Sequence, residues 1–114
     1  MRLRNAAVAA FGALTLVLTI PASASAATGD FVYVYSGLNG SPQVGVLENP
    51  ASGECITLPE VADPGASSPA HSPRNLTDST AVVFTEPDCT GDHYSLRPGG
   101  RASERLLLRS VVFS

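Results

Sequence analysis

Basic residues are scarce in this chain of 114 residues, and lysine is absent altogether. The seven basic residues are all arginines, and they stand against ten aspartates and glutamates. Two of the arginines lie within the first five residues, so the remainder has five arginines, ten acids and a formal net charge of about −5. Nucleic acids and anionic membranes attract basic surfaces. The charge balance therefore argues against nucleic acid and membrane as partners.

Residues that commonly carry chemistry are also few. The two histidines, His71 and His93, lie in different halves of the chain, and the sequence contains neither Gly-x-Ser-x-Gly nor His-Glu-x-x-His. His93 stands between Asp92 and Tyr94, an arrangement typical of a strand residue beside a turn. Two isolated histidines do not complete a zinc site. The sequence therefore predicts no enzyme activity, no metal site and no cofactor.

Long apolar stretches are confined to the beginning of the chain. A basic segment of five residues is followed by an apolar run over residues 6–20 and then by small residues. This order is typical of a secretory signal peptide, and the run is short for a membrane span. Cleavage after Ala26 or after Ala27 fits equally well. The sequence thus predicts a signal peptide over 1–26, which is removed, and a secreted, extracellular single domain over 27–114.

Cysteine occurs only twice, at Cys55 and Cys89. In an exported protein two cysteines usually pair with each other. The bridge would close a loop of about 35 residues, which is worth roughly 3–4 kcal/mol in the loop-entropy model. That is a large share of the roughly 5–15 kcal/mol that stabilises a small domain. Because no histidine lies near Cys55, we expect a structural disulfide rather than a reactive thiol.

Short apolar segments separated by turn residues make up most of the remaining chain. Bulky residues alternate in Phe31–Tyr35, and Asn39-Gly40 is a turn dipeptide. Many short strands with turn signals every eight to twelve residues are typical of an all-β sandwich. The predicted strands cover residues 31–35, 43–47, 55–58, 81–84, 93–96 and 106–113.

One segment, residues 59–74, has a different composition. It contains four prolines and several serines, which predicts a long exposed loop without a regular element. Long loops inside compact domains are often functional, but a tolerated surface insertion is equally compatible with this composition.

Two parts of the chain repeat one spacing, in which an aromatic residue is followed seven positions later by a glycine. Tyr33 and Gly40 form the first pair, and Phe84 and Gly91 form the second. Each segment begins as a strand and ends at a turn that favours glycine. Ser110 opens the last apolar segment, where its hydroxyl can hydrogen-bond to the folded second hairpin. The repeat predicts a domain made of two similar halves.

The first half matches this pattern less closely than the second. Ser72 would occupy the place of Ser110, but Pro73 cannot donate to a strand ladder, so that strand would lie at an edge or be irregular. A competing alignment sets Leu47 against Phe84 and needs a one-residue gap. The gapless alignment that begins at Tyr33 is preferred.

The motif of an aromatic-led hairpin, a glycine, a Pro-Gly turn and a serine-led last strand resembles a βγ-crystallin Greek-key motif. The order of segments from Phe31 to Phe113 resembles the small secreted bacterial proteins of the metalloproteinase-inhibitor family that has this fold. The resemblance implies a monomeric, two-motif Greek-key β-sandwich with one disulfide. It also implies that the protein binds and inhibits an extracellular peptidase through a presented loop. Members of that family often carry a cysteine in the first strand, which this chain lacks.

The candidate presenting segments are Glu60–Arg74 and Glu86–Gly91. A non-inhibitory extracellular structural or stress protein of crystallin type, with weak calcium binding, remains an alternative, and a small secreted toxin is a third. A crystallin-type calcium site needs paired Asp or Asn residues shortly before the closing serine. Neither Ser72 nor Ser110 has them, so no metal site is predicted. The sequon at Asn75 is interpreted as turn chemistry between the halves.

Overall fold

The computed structural model describes residues 25–114 and consists of two four-stranded antiparallel β-sheets with almost no helix. The all-β class predicted from the sequence is therefore confirmed. The only helical elements among these residues are two short turns of 3₁₀ helix, Pro59–Val61 and Pro87–Cys89. The strands are β1 Gly29–Ser36, β2 Pro42–Glu48, β3 Ile56–Thr57, β4 Ala70–Thr77, β5 Ala81–Glu86, β6 Thr90–Leu96, β7 Leu107–Leu108 and β8 Ser110–Phe113.

Nearly all of the predicted signal peptide over 1–26 lies outside the described residues. The described chain begins with Ser25, and Ala26 forms a bridge with Ala51. Ala27 is fully buried, and its N–H donates to the carbonyl of Pro50 at 2.8 Å. Ala27 therefore belongs to the core of the described domain.

Each sheet combines strands from both halves of the chain. The first sheet has the order β2-β1-β4-β7, and the second has the order β3-β8-β5-β6. Three strands of each sheet come from one half, while the two-residue edge strand, β7 or β3, comes from the other half. Each half therefore completes the sheet of the other.

The core lies between the sheets and follows from the alternation of side chains along the strands. Phe31 and Tyr33 of β1 point inwards and are fully buried, while Val32 between them is only partly buried. The ring of Phe31 packs edge-on against that of Phe113 in the opposite sheet, with centroids 5.4 Å apart. Such aromatic pairs add about 0.5–1.5 kcal/mol to the gain from burial. The alternation recognised in the sequence is therefore what directs the large rings into the core.

The loop predicted over 59–74 is wrong in its last part, because β4 begins at Ala70. Proline cannot donate to a ladder, yet Pro73 lies inside this strand and is buried. It is tolerated because the pairing of β1 with β4 shifts register between Val32 and Val34, so the ladder is interrupted opposite the proline. The irregular strand predicted around Pro73 is thus confirmed, but it is a central strand rather than a loop.

Asn75, in β4, is a fully buried polar residue that connects the two sheets. Its amide nitrogen donates to the carbonyls of Ser79 at 2.7 Å and Leu96 at 2.9 Å. Its amide oxygen accepts from the backbone N–H and the hydroxyl of Thr77 at 3.1 and 2.6 Å. The predicted role of this sequon asparagine in turn chemistry is confirmed.

Candidate functional site

The turn between β5 and β6 is held by the disulfide that the sequence predicts. Cys55 and Cys89 are bonded, with their Cα atoms 5.9 Å apart, and neither is a free thiol. The backbone N–H of Asp88 donates to the hydroxyl of Thr57 at 3.0 Å. The turn is therefore fixed to the strand that leads into the loop at residue 59.

The side chain of Ser110, on the last strand, is hydrogen-bonded to the same turn. Its hydroxyl accepts from the N–H of Cys89 at 2.8 Å and donates to the carbonyl of Glu86 at 2.6 Å. Gly91 has a φ of +86°, a backbone conformation that glycine adopts without strain. The ring of Phe84 lies 5.9 Å from that of His93, which is opposite it on β6. The second sequence motif thus forms a folded hairpin bonded to the serine of the last strand.

The first hairpin is closed differently. Gly40 has a φ of +82°, and the amide oxygen of Asn39 accepts from the N–H and the hydroxyl of Ser41 at 3.0 and 2.6 Å. The hydroxyl of Ser72 lies 2.9 Å from Nδ1 of His71, so it does not close this hairpin as Ser110 closes the second. Leu38 stands at the tip with its side chain fully exposed.

The loop after β3, residues 59–69, is tied down by one buried side chain. We call this segment the anchored loop. Arg109 lies between β7 and β8 and is only 6% exposed. Its guanidinium donates to the carbonyl of Val61 at 2.9 Å and to the carbonyl of Ser67 at 2.7 Å. A third bond from the guanidinium reaches the hydroxyl of Ser67 at 3.3 Å. One arginine thereby fixes both ends of the stretch between residues 61 and 67.

The stretch between those two fixed points, residues 62–66, is exposed throughout, and we call it the loop crest. The carbonyl of Asp63 accepts from the backbone N–H groups of Ala66 and Ser67 at 3.0 and 3.1 Å. The carboxylate of Asp63 accepts from the N–H of Gly65 at 2.9 Å. The crest is therefore a compact turn with its own hydrogen bonds, and its side chains point into solvent.

Tyr33 provides another support for the anchored loop. Its hydroxyl donates to Oε1 of Glu60 at 2.6 Å. Burial, together with this hydrogen bond and the nearby negative charge of Glu60, raises the pKa of the Tyr33 phenol well above its usual range. The phenol therefore remains protonated, and a donor, over the whole physiological range. The aromatic residue that begins the first sequence motif thus also holds the loop.

A groove of about 490 Å³ separates the anchored loop from the tip of the first hairpin. It is lined on one side by Leu38 and Gly40 and on the other by Glu60 and Asp63. The result is one surface that combines an exposed apolar side chain, a constrained crest and two carboxylates. Such a surface can bind another protein.

The two histidines are not brought together, because His71 lies in the first sheet and His93 in the second. Residues 25–114 contain no group of three or more His, Cys, Asp or Glu that could hold a metal ion. In the same part of the chain, no helix has the length and apolar character needed to cross a membrane.

Comparison of the chain with protein-family models, with curated proteins and with solved structures finds no match.

Sequence reasoning missed the role of Arg109. Its signal was available, because this arginine interrupts the apolar segment Leu106–Phe113 and such a position usually requires buried partners. What the sequence did not contain was the identity of those partners, which lie more than 40 positions earlier in the chain. The exposure of Leu38 at the tip of the first hairpin was missed as well, since a leucine in a hairpin pattern is normally assigned to the core.

Proposed function

We propose that this chain is a secreted peptidase inhibitor whose domain is a two-motif Greek-key β-sandwich of the βγ-crystallin type. The strand orders β2-β1-β4-β7 and β3-β8-β5-β6 support the Greek-key interpretation, since each half gives its third strand to the other sheet. The bonds from Ser110 to the hairpin at Glu86 and Cys89 support it further. The resemblance seen in the sequence connects this architecture with inhibition.

The observation that carries the proposal is the position of Arg109 beneath the loop crest. A loop that is already ordered loses little conformational entropy when it enters the cleft of a peptidase. The crest is exposed at every residue from 62 to 66, while Val61 and Ser67 on either side are bonded to one guanidinium. The crest is therefore both accessible and constrained.

The same geometry explains how such a loop would resist a peptidase. Hydrolysis of a bond in the crest would create two new chain ends. Arg109 would hold both through the carbonyls of Val61 and Ser67. Because the ends could not separate, the cut segment would stay in the cleft. The groove beside the crest, with Leu38 on its far side, would then provide additional contact area for the peptidase.

The proposal is tested by titrating the purified protein against a thermolysin-like and a subtilisin-like peptidase, with a small chromogenic peptide as substrate. We expect stoichiometric inhibition of at least one of the two. Replacing Arg109 with Met removes the guanidinium but keeps an apolar stem, and we expect inhibition to weaken at least tenfold. Arg105→Met is the matched control, because Arg105 is exposed, and inhibition should be unchanged.

A second variant keeps the test interpretable if the Arg109 variant does not fold. Pro64→Gly with Ala66→Gly changes only exposed crest residues and makes the backbone more flexible. We expect this protein to fold and to melt only several degrees below the wild type, because both substitutions raise the entropy of the unfolded chain, but to inhibit several-fold less well. If the wild-type protein survives both peptidases intact and inhibits neither at micromolar excess, the inhibitor function is wrong. A calcium-dependent rise in melting temperature would then favour the crystallin-type alternative.

A further inference from the structure

The two sheets have four edge strands, and one of them differs from the others. Strands β3 and β7 contain only two residues each. Strand β6 is longer, but it carries Asp92 and His93, and its pairing with β5 is broken by a register shift. Short length, charged side chains and bulges are the usual features that keep an edge from pairing with another chain. Strand β2 is the remaining edge.

Strand β2 has almost none of this protection. It is seven residues long, and its interior, Gln43–Leu47, contains no charged residue. Its register with β1 is unbroken over seven pairs, so no bulge turns the edge away. Pro42 blocks only the first position of the strand. A long, regular edge without charge in its interior favours pairing with a further strand.

The direction of the free backbone groups on β2 follows from two hydrogen bonds. The N–H of Asn49 donates to the carbonyl of Gly29, and the N–H of Gly37 donates to that of Ser41, both at 2.8 Å. These bonds belong to the series of pairs in which odd-numbered residues of β2 bond to β1. The N–H and C=O groups of the even-numbered residues, Val44 and Val46, therefore point towards the open side.

The middle of the outer face beside this edge is apolar, while the exposed pair Asp30 and Glu48 lies at one end of the same face. Val32 pairs with Val46, and Val34 pairs with Val44, so four valines lie on the side of the sheet that faces away from the core. Val44 is 65% exposed and Val46 is 45% exposed. The apolar patch thus reaches the same edge that offers free backbone groups.

We propose that β2 pairs antiparallel with β2 of a second copy of this chain, about a two-fold axis at Gly45. The interior Gln-Val-Gly-Val-Leu reads nearly the same in both directions, so this register places Val44 opposite Val46 of the second copy. Val44 and Val46 would exchange their outward backbone hydrogen bonds, and the two valine patches would join. The result is one sheet of eight strands that spans both copies.

No local charge repulsion between the two strands opposes this occupant. In the two-fold register Glu48 lies opposite Pro42 of the second copy, so no two acidic residues of the strands face each other. Like charges directly opposite would destabilise the pairing. The monomer expected from the sequence is then the form present at low concentration. The inference does not depend on whether the protein inhibits a peptidase.

The test is sedimentation velocity of the purified protein over a wide range of concentrations. We expect the mass to rise from one chain to two. Val44→Lys should remain a monomer at every concentration and keep its melting temperature, because the side chain is mostly exposed. Leu76→Lys is the matched control, since Leu76 is 49% exposed but lies on the central strand β4, and it should dimerise normally. A wild-type monomer at the highest concentration, or a dimer in Val44→Lys, overturns the proposal.

The register between β2 and β2 of the second copy can be tested separately. A mixture of the single variants Val44→Cys and Val46→Cys should form a disulfide-linked pair under oxidising conditions, because directly opposite residues lie within bonding distance. Each variant alone should form far less of it. Equal cross-linking of Val44→Cys with itself contradicts the two-fold axis at Gly45.

Discussion

Two polar side chains, Asn75 and Arg109, are buried at positions where apolar residues are far more common. Asn75 is fully buried and Arg109 is 6% exposed. A buried polar group without partners costs about 1–3 kcal/mol. Both residues avoid this cost by bonding to backbone carbonyls of distant segments. At the scale of the residue, they decide where those segments lie, which apolar contacts alone do not specify.

The substitution Asn75→Asp tests this positioning role by replacing a single atom, the amide nitrogen that donates, with an oxygen. The carboxylate cannot donate, and it would face the carbonyls of Ser79, Leu96 and Arg97. We expect the free energy of unfolding at pH 7 to fall by about 2–4 kcal/mol, measured by urea denaturation. Because burial raises the pKa of such a carboxyl group, the loss should shrink at acidic pH, where the protonated form regains a donor.

Asn39→Asp is the control for this substitution. Asn39 is exposed at the first hairpin, and its side-chain oxygen only accepts hydrogen bonds there, which a carboxylate also does. Its stability should change by less than about 0.5 kcal/mol. Similar losses in both variants would mean that Asn75 does not act as a donor between the sheets.

At the scale of the element, two hairpins with the same glycine spacing are closed by different means. The second hairpin depends on Ser110 of the last strand and on the disulfide at Cys89. The first depends on Asn39, within its own turn. The second hairpin is therefore linked to distant parts of the chain, whereas the tip of the first is a local structure.

Replacing Ser110 with Ala should show this dependence. The variant leaves the N–H of Cys89 and the carbonyl of Glu86 without the partner that both share. We expect a loss of about 1–3 kcal/mol in the free energy of unfolding. Ser95→Ala, at an exposed position on β6, should have almost no effect. A Ser110→Ala protein as stable as this control would show that the serine does not hold the hairpin.

Sequence patterns predicted those elements whose cause is local. Alternating residues predicted β1, because the period of two is a property of the strand itself, and the structure places Phe31 and Tyr33 on its inner side. Cysteine pairing was also predictable, since only two cysteines are present. The first part of β4 was assigned to a loop because Pro73 is acceptable only opposite an irregularity in the ladder, and that irregularity depends on its neighbour β1.

The sequence indicated the segment that contains the candidate site, but not the contacts that hold that segment in one conformation. The anchored loop lies within a segment that its prolines already indicated. Its order comes from Arg109 and Tyr33, which are distant in the sequence and are brought to the loop only by the completed fold. A composition that predicts an irregular loop says nothing about whether contacts with the rest of the fold keep that loop in one conformation.

At the scale of the whole molecule, β3 and β7 are exchanged between the two halves: each strand joins the sheet of the other half. This exchange makes one rigid frame from the two halves. Arg109 follows the exchanged strand β7, and the anchored loop follows the exchanged strand β3. The bonds from this arginine to Val61 and Ser67 therefore depend on both exchanges. We infer that the loop crest is as rigid as the sheets that support it.

The backbone order of residues 62–67 tests this claim most directly. Amide ¹⁵N relaxation of the free protein gives an order parameter for each N–H group except that of Pro64. We expect values of about 0.85 in the crest, equal to those of β4, and a clear decrease in Arg109→Met but not in Arg105→Met. Values below about 0.6 in the wild-type crest would show a mobile loop and would contradict the account.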